Sequence, residues 1–419
     1  MALSSTIFPL LITRVQETFH ATAVDIGRAS TALFLGAIAV YILGTYAADY
    51  VTVKTLCCVG FAVFAGGFVL QGFTPTVWFL TMATCVQGIG AGLIDLFVQT
   101  IVSATFPEKR TAALAFTHAF FCVGGVVNSF VVTWALSFGV TWRTISLVSC
   151  LPPVALAVAF ATQPLPKSLA EADVSVTKGS PVTPSPLVEL LREPDFLICL
   201  LLMWLAGAAQ LGPVTWIPAF AEQTLGMSYA GIVLFGFTIT MGTARYVGSK
   251  LAVHVSGYTL LQCAGVLQFA LTFTAAVTSG MLSAGLLSGI GFGVSVLWPT
   301  TLAVSADRHP RGKASMFACL AIAGSAGGAV MPYVCAYVMD TTHSQRAGMA
   351  VAATPGLGAF IAASVLRCMS PPEPHKQQQC ADPPVPWDES GAVLRTQSPR
   401  KSAEVAEELT TLDTISTLM

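Results

Sequence analysis

Residues 77–104 read VWFLTMATCVQGIGAGLIDLFVQTIVSA, and how this stretch is taken decides the fold. It carries one charge, Asp95, in a run that as a helix outspans the ~30 Å hydrocarbon core of a bilayer. So long and so apolar a run reads as a membrane span. Inside it, Gly88-Ile-Gly90-Ala-Gly92 has the small-residue spacing that lets helix backbones approach closely.

Composition extends that reading to the whole chain. Charged residues make up 10% of 419 and the apolar set 54%, with a mean hydropathy of +0.73; soluble domains carry roughly a quarter charged residues. Net charge is −1, which excludes the basic stripe that nucleic-acid binding needs. The 11 Cys residues show neither metal spacing nor a secreted disulfide pattern, so no metal and no cofactor is expected beyond a coupling proton or sodium ion. The start, Met1 to Ile12, lacks a basic n-region, and no cleavable signal peptide is read there.

Eleven candidate spans follow one another: 31–48, 55–73, 77–104, 112–138, 144–161, 196–220, 229–253, 258–277, 281–306, 314–339 and 349–366. Met1 to Leu11 offers a short twelfth. Either that helix extends past Arg14 towards Phe19, or the chain lacks the first turns of a longer ancestor; the second is the expectation here. Alternating the crossings places sixteen Lys and Arg on one side, Lys54 among them, and four on the other: Arg14, Arg28, Arg143 and Arg346. The positive-inside bias then puts both ends and the central linker in the cytosol. The organisation expected is a transmembrane bundle over 1–162, a Pro-rich linker over 163–195, a second bundle over 196–367 and a disordered tail over 368–419.

The two blocks repeat. Gly88-Ile-Gly90-Ala-Gly92 recurs as Gly289-Ile-Gly291-Phe-Gly293, and Ile101-Val-Ser103-Ala104 as Ala303-Val-Ser305-Ala306. Pro107-Glu-Lys109-Arg110 answers Pro310-Arg-Gly-Lys313, and Gly124-Gly125 answers Gly327-Gly328. Each match alone is compatible with packing; the ordered series argues for duplicated halves, the layout of secondary transporters.

With these motifs in view, the sequence resembles the major facilitator superfamily over residues 1–367. Its loop signature is partly present as Gly44-Thr-Tyr-Ala-Ala-Asp49 with Lys54 following, and Gly242-Thr-Ala-Arg245-Tyr-Val-Gly248 is similar to what the superfamily shows after its eighth span. Within it, the resemblance runs to the fucose permease and sodium-dependent glucose transporter-like branch. It rests on Gly88-x-Gly-x-Gly92-x-x-Asp95, Ala113-Leu-Ala-Phe-Thr-His118, Gly207-x-x-Gln210 with Trp216, Trp298-Pro-Thr300 and Gly327-Gly328-x-x-Met331-Pro332. The branch often has Glu where Gln210 stands. The resemblance implies an all-α polytopic fold of two pseudo-symmetric six-helix bundles with a short first helix. It also implies gating or packing roles for Asp49, Lys54 and Arg245.

Of 21 Asp and Glu, only Asp95 lies deep in a span. A charge there costs at least ~2.5–3.5 kcal/mol on insertion scales, so such a residue faces a cavity and marks an ion or substrate pathway; the bland alternative is a hydrogen-bonded carboxyl that serves packing. Asp95 is the expected ion-coupling residue, and the resemblance implies the same. His118 and Asn128 lie ten residues apart on one span, close to three turns, and Gln87 and Gln99 flank Asp95. With Gln210, Trp216 and Trp298 they form the expected substrate set, each also open to a packing role. Trp78, Trp134 and Trp142 sit near span ends and read as an interfacial belt.

The expected function is secondary transport of a small polar solute, foremost a sugar, by alternating access with proton or sodium coupling. A facilitator or exporter of another organic solute, or a non-transporting sensor, stands as the alternative. A channel lacks a continuous polar lining here, and an enzyme lacks a nucleophile–base pair. The expected partners are a small-molecule substrate and the lipid bilayer, with no nucleic acid, and the chain is expected to act as a monomer.

Overall fold

A computed structural model describes residues 2–47, 51–105, 110–163, 187–252, 254–309 and 313–369. Among them there are helices and no strands. The first half holds α1 (Ala2–Phe19), α2 (Ala23–Ala47), α3 (Val53–Gly72), α4 (Val77–Thr105), α5 (Arg110–Ser137), α6 (Trp142–Val148) and α7 (Leu151–Thr162). After the short α8 (Leu187–Leu190) come α9 (Pro194–Gln223), α10 (Gly231–Leu251), α11 (Gly257–Val277), α12 (Gly280–Val294), α13 (Leu297–Arg308), α14 (Lys313–Thr342), α15 (Gln345–Val351) and α16 (Thr354–Cys368). The pairs α6–α7, α12–α13 and α15–α16 are single spans interrupted just ahead of Pro152, Pro299 and Pro355. Proline has no N–H and its ring crowds the preceding turn, so the ladder breaks there.

Ten stretches among the described residues are long and apolar enough to cross a membrane, and the chain is a polytopic helical membrane protein. Three spans of the sequence reading differ. The candidate over 31–48 forms α2, which opens eight residues earlier at Ala23 and carries the Asp25–Arg28 pair, 3.0 Å apart, in its first turns. The candidate over 229–253 forms α10, which is long enough at about 31 Å but carries Arg245 and Lys250 and falls outside the ten. The opening helix runs past Arg14 to Phe19, the first of the two extents considered above. The reason is electrostatic: Arg14 pairs with Glu17 at 3.1 Å and with Glu222 of α9 at 2.9 Å. Its charge therefore ends in a contact between helices at the Phe19 end of the molecule.

The repeat appears as matched contacts, with the glycine run shifted two residues from the pairing above: Gly88 answers Gly291, and Gly90 answers Gly293. A Cβ at Gly90 of α4 would press on Phe64 of α3, and a Cβ at Gly88 on Leu33 of α2; Gly293 of the α12–α13 span meets Gln268 of α11, and Gly291 meets Phe237 of α10. Gly125 faces Thr6 of α1 and Thr238 of α10, while Gly328 faces Leu211 of α9 and Phe34 of α2. Helix termini repeat as well. Thr141 and Ser344 cap α6 and α15, and Thr52 and Ser256 cap α3 and α11. Arg143 donates to the Gly72 and Thr74 carbonyls at the end of α3; Arg346 donates to those of Ala276 and Thr278 at the end of α11. Trp78 and Trp134 are exposed as interfacial residues should be, but Trp142 is buried, its Nε1 donating to Thr18 Oγ1 at 2.9 Å.

Candidate functional site

Asp95 lies eighteen residues into α4 and ten from its end at Thr105, so it sits inside the span, about one turn from its middle on the Lys54 side. The carboxylate is partly buried and accepts a 2.9 Å hydrogen bond from the Tyr41 hydroxyl of α2. Tyr41 is 7% exposed. The Gly-x-Gly-x-Gly run creates this arrangement: it lets α4 sit against α2 and α3, and Leu96 fills the notch at Gly44. Asp95 is thus turned to α2 and away from the bilayer. The pairing can bind a proton at one oxygen while the phenol holds the other.

The remaining expected residues divide. Gln87 is fully buried; its Nε2 donates to Gln71 Oε1 of α3, and its own Oε1 has no hydrogen-bond partner among the described residues. Asn128 of α5 donates to Thr6 of α1 at 3.3 Å. Trp216 is buried and donates to the Pro332 carbonyl at 3.1 Å. With Thr22, Asp340 and His343 it also lines a cavity of about 230 Å³ at the Phe19 end. A smaller cavity between α1, α2 and α9 is lined by Ser5, Ser30, Phe34, Val214 and Thr215, and Gln210, one turn before Val214, is partly exposed on α9. Gln99 is partly exposed one turn beyond Asp95. Trp298 stacks against Gly324 of α14. His118 lies on α5 with its side chain outside the described residues, and Asp49 falls outside them altogether. Lys54 donates to the Gln163 carbonyl at 2.7 Å, pinning α3 to the end of α7. Arg245 of α10 reaches Cys122 Sγ of α5 at 3.6 Å and lies over the Phe121 ring.

Polar contacts join the two halves at the Phe19 end. Besides Arg14–Glu222, Gln223 donates to Gln16 at 2.9 Å, and both Asp340 oxygens accept the first amides of α2, from Ala23 at 3.1 Å and Val24 at 2.8 Å. At the opposite end, Glu193, Asp195 and His309 bring ligand atoms within 4.8 Å of one another. The Arg308 guanidinium already occupies that cluster, its Nε 3.2 Å from Asp195 Oδ2. A fixed buried cation opposes a metal ion there, and the cluster ties α9 to α13. The sequence reading missed Tyr41, Asp340 and this cluster. Only Tyr41 left a trace, as a phenol deep in an apolar run that needs a polar partner.

A family model for the Major Facilitator Superfamily matches residues 1–314. Over 134 residues, 31% of this chain, the sequence is 27% identical to Myo-inositol transporter 1 of Candida albicans; the match spans 24% of that relative's length, about a quarter. Among solved structures, a bacterial homologue of the human lysosomal transporter Spinster, inward-facing and occupied, superimposes with a TM-score of 0.70 at 13% identity, over 87% of this chain and 93% of that one. A D-xylose–proton symporter gives 0.70 at 14% identity over 88% and 94%.

Proposed function

The chain belongs to the major facilitator superfamily of transporters, and on that premise we propose that it carries a small polar solute, a sugar or cyclic polyol, by proton-coupled alternating access. The observation that carries the reading is Asp95, an acid inside a span, turned to α2 and held by the Tyr41 phenol. The fucose permease-like motifs around it support a sugar. So do the names of two similar proteins, a myo-inositol transporter and a D-xylose–proton symporter. A carboxylate satisfied by one phenol O–H suits a proton better than sodium, which demands a cage of oxygens. The positive-inside bias puts the Lys54 end in the cytosol. The polar bridges at the Phe19 end then describe an arrangement closed on the far side. The halves, 1–162 and 196–367, rock about the seams α2–α14 and α5–α10, with Arg245 at the second of these.

The test is uptake of radiolabelled myo-inositol and D-xylose into proteoliposomes. An inward proton gradient should drive accumulation in the parent protein. Asp95→Asn should lose that accumulation while keeping exchange of labelled for unlabelled solute. Full gradient-driven uptake in Asp95→Asn would refute the role given to this residue.

A further inference from the structure

Helix α2 meets α14 along one antiparallel stripe. From the Phe19 end inward, Ala23 and Val24 bond Asp340, Gly27 lies on Ala336, Thr31 Oγ1 donates to the Ala329 carbonyl at 2.7 Å, and Phe34 lies on Gly328. Numbers rise on one helix as they fall on the other, and on α2 they rise at three- and four-residue steps, the spacing of one helix face. That register sets Tyr41 about one turn beyond Ser325, but a helical side chain leans back towards its own N-terminus, which returns the Tyr41 hydroxyl to the level of Ser325, its hydrogen-bonding neighbour on α14. Both residues are 7% exposed. The phenol that holds Asp95 in the first half is therefore also a contact across the seam to the second.

A phenol has one O–H to give. An ionised carboxylate is a charge-assisted acceptor, roughly twice as strong as a neutral one. We propose that Tyr41 is the positioning residue that transmits the protonation state of Asp95 to the α2–α14 seam, an inference that rests on the proton-binding role given to Asp95 above. With Asp95 ionised, hydrogen bonds run from Ser325 to Tyr41 to the carboxylate, a chain ending on a charge whose members reinforce one another. When a proton from solvent binds Asp95, no other covalent bond changes. The carboxyl loses its charge, its hold on the phenol weakens, and the bond across the seam weakens with it. Proton uptake thus loosens the seam at this level, and proton release tightens it.

The surroundings keep this pair electrostatically simple. The groups acting on the Tyr41 phenol are Asp95 from α4 and Ser325 from α14. The charges on α2 itself, Asp25 and Arg28, pair at 3.0 Å at the Phe19 end. On α3, Lys54 is turned to Gln163.

The experiment needs no substrate. Spin labels attached through a keto amino acid at exposed Val51 and His254 report the distance between the halves at the Lys54 end, in full-length protein in lipid nanodiscs, across a pH titration. The parent should show a pH-dependent distance distribution that Asp95→Asn abolishes. Tyr41→Phe keeps the acid but removes the shared O–H. It should flatten the response or move its midpoint by about one pH unit or more, the tenfold worth of one hydrogen bond to a charged group. Should Tyr41→Phe fail to fold, Ser325→Ala carries the same test, with a reduced amplitude expected. A parent protein without any pH response would sink the Asp95 reading itself. A parent response lost in Asp95→Asn but unchanged in both Tyr41→Phe and Ser325→Ala would overturn only the relay.

Discussion

A Cβ added at Gly88 would stand 1.8 Å from the Leu33 carbonyl oxygen, backbone that no side-chain rotation can clear, whereas a Cβ at Gly285 would meet open space. Gly88→Ala must push α2 from α4, an overpacking cost of about 1–3 kcal/mol. Gly285→Ala should be neutral or gain up to about 1 kcal/mol of helix propensity. Thermal unfolding of the purified variants should separate them, with Gly88→Ala melting below the parent; matching melting points would contradict the close approach. The same notch decides how much of the site could be read from sequence. Asp95 was legible because one charge in an apolar span is costly and announces itself. Tyr41 was legible only as a phenol in want of a polar partner; which partner it finds was not, since that partner lies 54 residues away. A carboxamide near the acid suggests a cavity, but the Gln87 Nε2 donates to Gln71 on the neighbouring helix. Short-range spacing cannot show that.

Span positions followed from hydropathy closely, as 55–73 against α3 at Val53–Gly72 and 258–277 against α11 at Gly257–Val277 show. Hydropathy was blind to two things at this scale. It cannot see that Arg14 ends in a contact with Glu222, so α1 was cut short. Nor does it separate α6 from α7 or α15 from α16, where Pro152 and Pro355 break the ladder inside unbroken apolar runs. The repeat was legible in glycines but is better evidenced by arginines, which sequence reading had merely counted as a minority charge. Arg143 and Arg346 each close the end of a neighbouring helix, giving a cation to carbonyls that the helix leaves unpaired. Arg143→Ala and Arg346→Ala should each cost about 1.5–3 kcal/mol, the worth of hydrogen bonds to a charged group. Because the two arginines do one job in two halves, their losses should be alike. Urea unfolding of both variants measures this. A large effect in one and none in the other would mean the matched contacts are not equivalent.

At the scale of the molecule, the question is which bridge holds the Phe19 end shut. Arg14–Glu222 is the obvious ion pair, but its side chains are 44% and 28% exposed. Pairs in that setting contribute about 0–1 kcal/mol. Asp340 is less conspicuous and better placed: partly buried, it accepts two amides at the start of α2, where a negative charge also complements the helix dipole. Removing it strands those donors and cuts a link between halves, worth about 1.5–3 kcal/mol. Each 1.4 kcal/mol moves a two-state balance about tenfold. Asp340→Ala should therefore shift the population towards opening at this end by about ten- to a hundredfold, and Arg14→Ala by no more than about fivefold. A cysteine at Thr215, buried and lining the smaller cavity between α1, α2 and α9, reports the difference in a background with the native cysteines replaced. Its alkylation by a membrane-impermeant maleimide should accelerate far more in Asp340→Ala than in Arg14→Ala. If the arginine variant opened the cavity as readily, closure would rest on the exposed ion pair, and the carboxylate at the head of α2 would be a helix cap and nothing more.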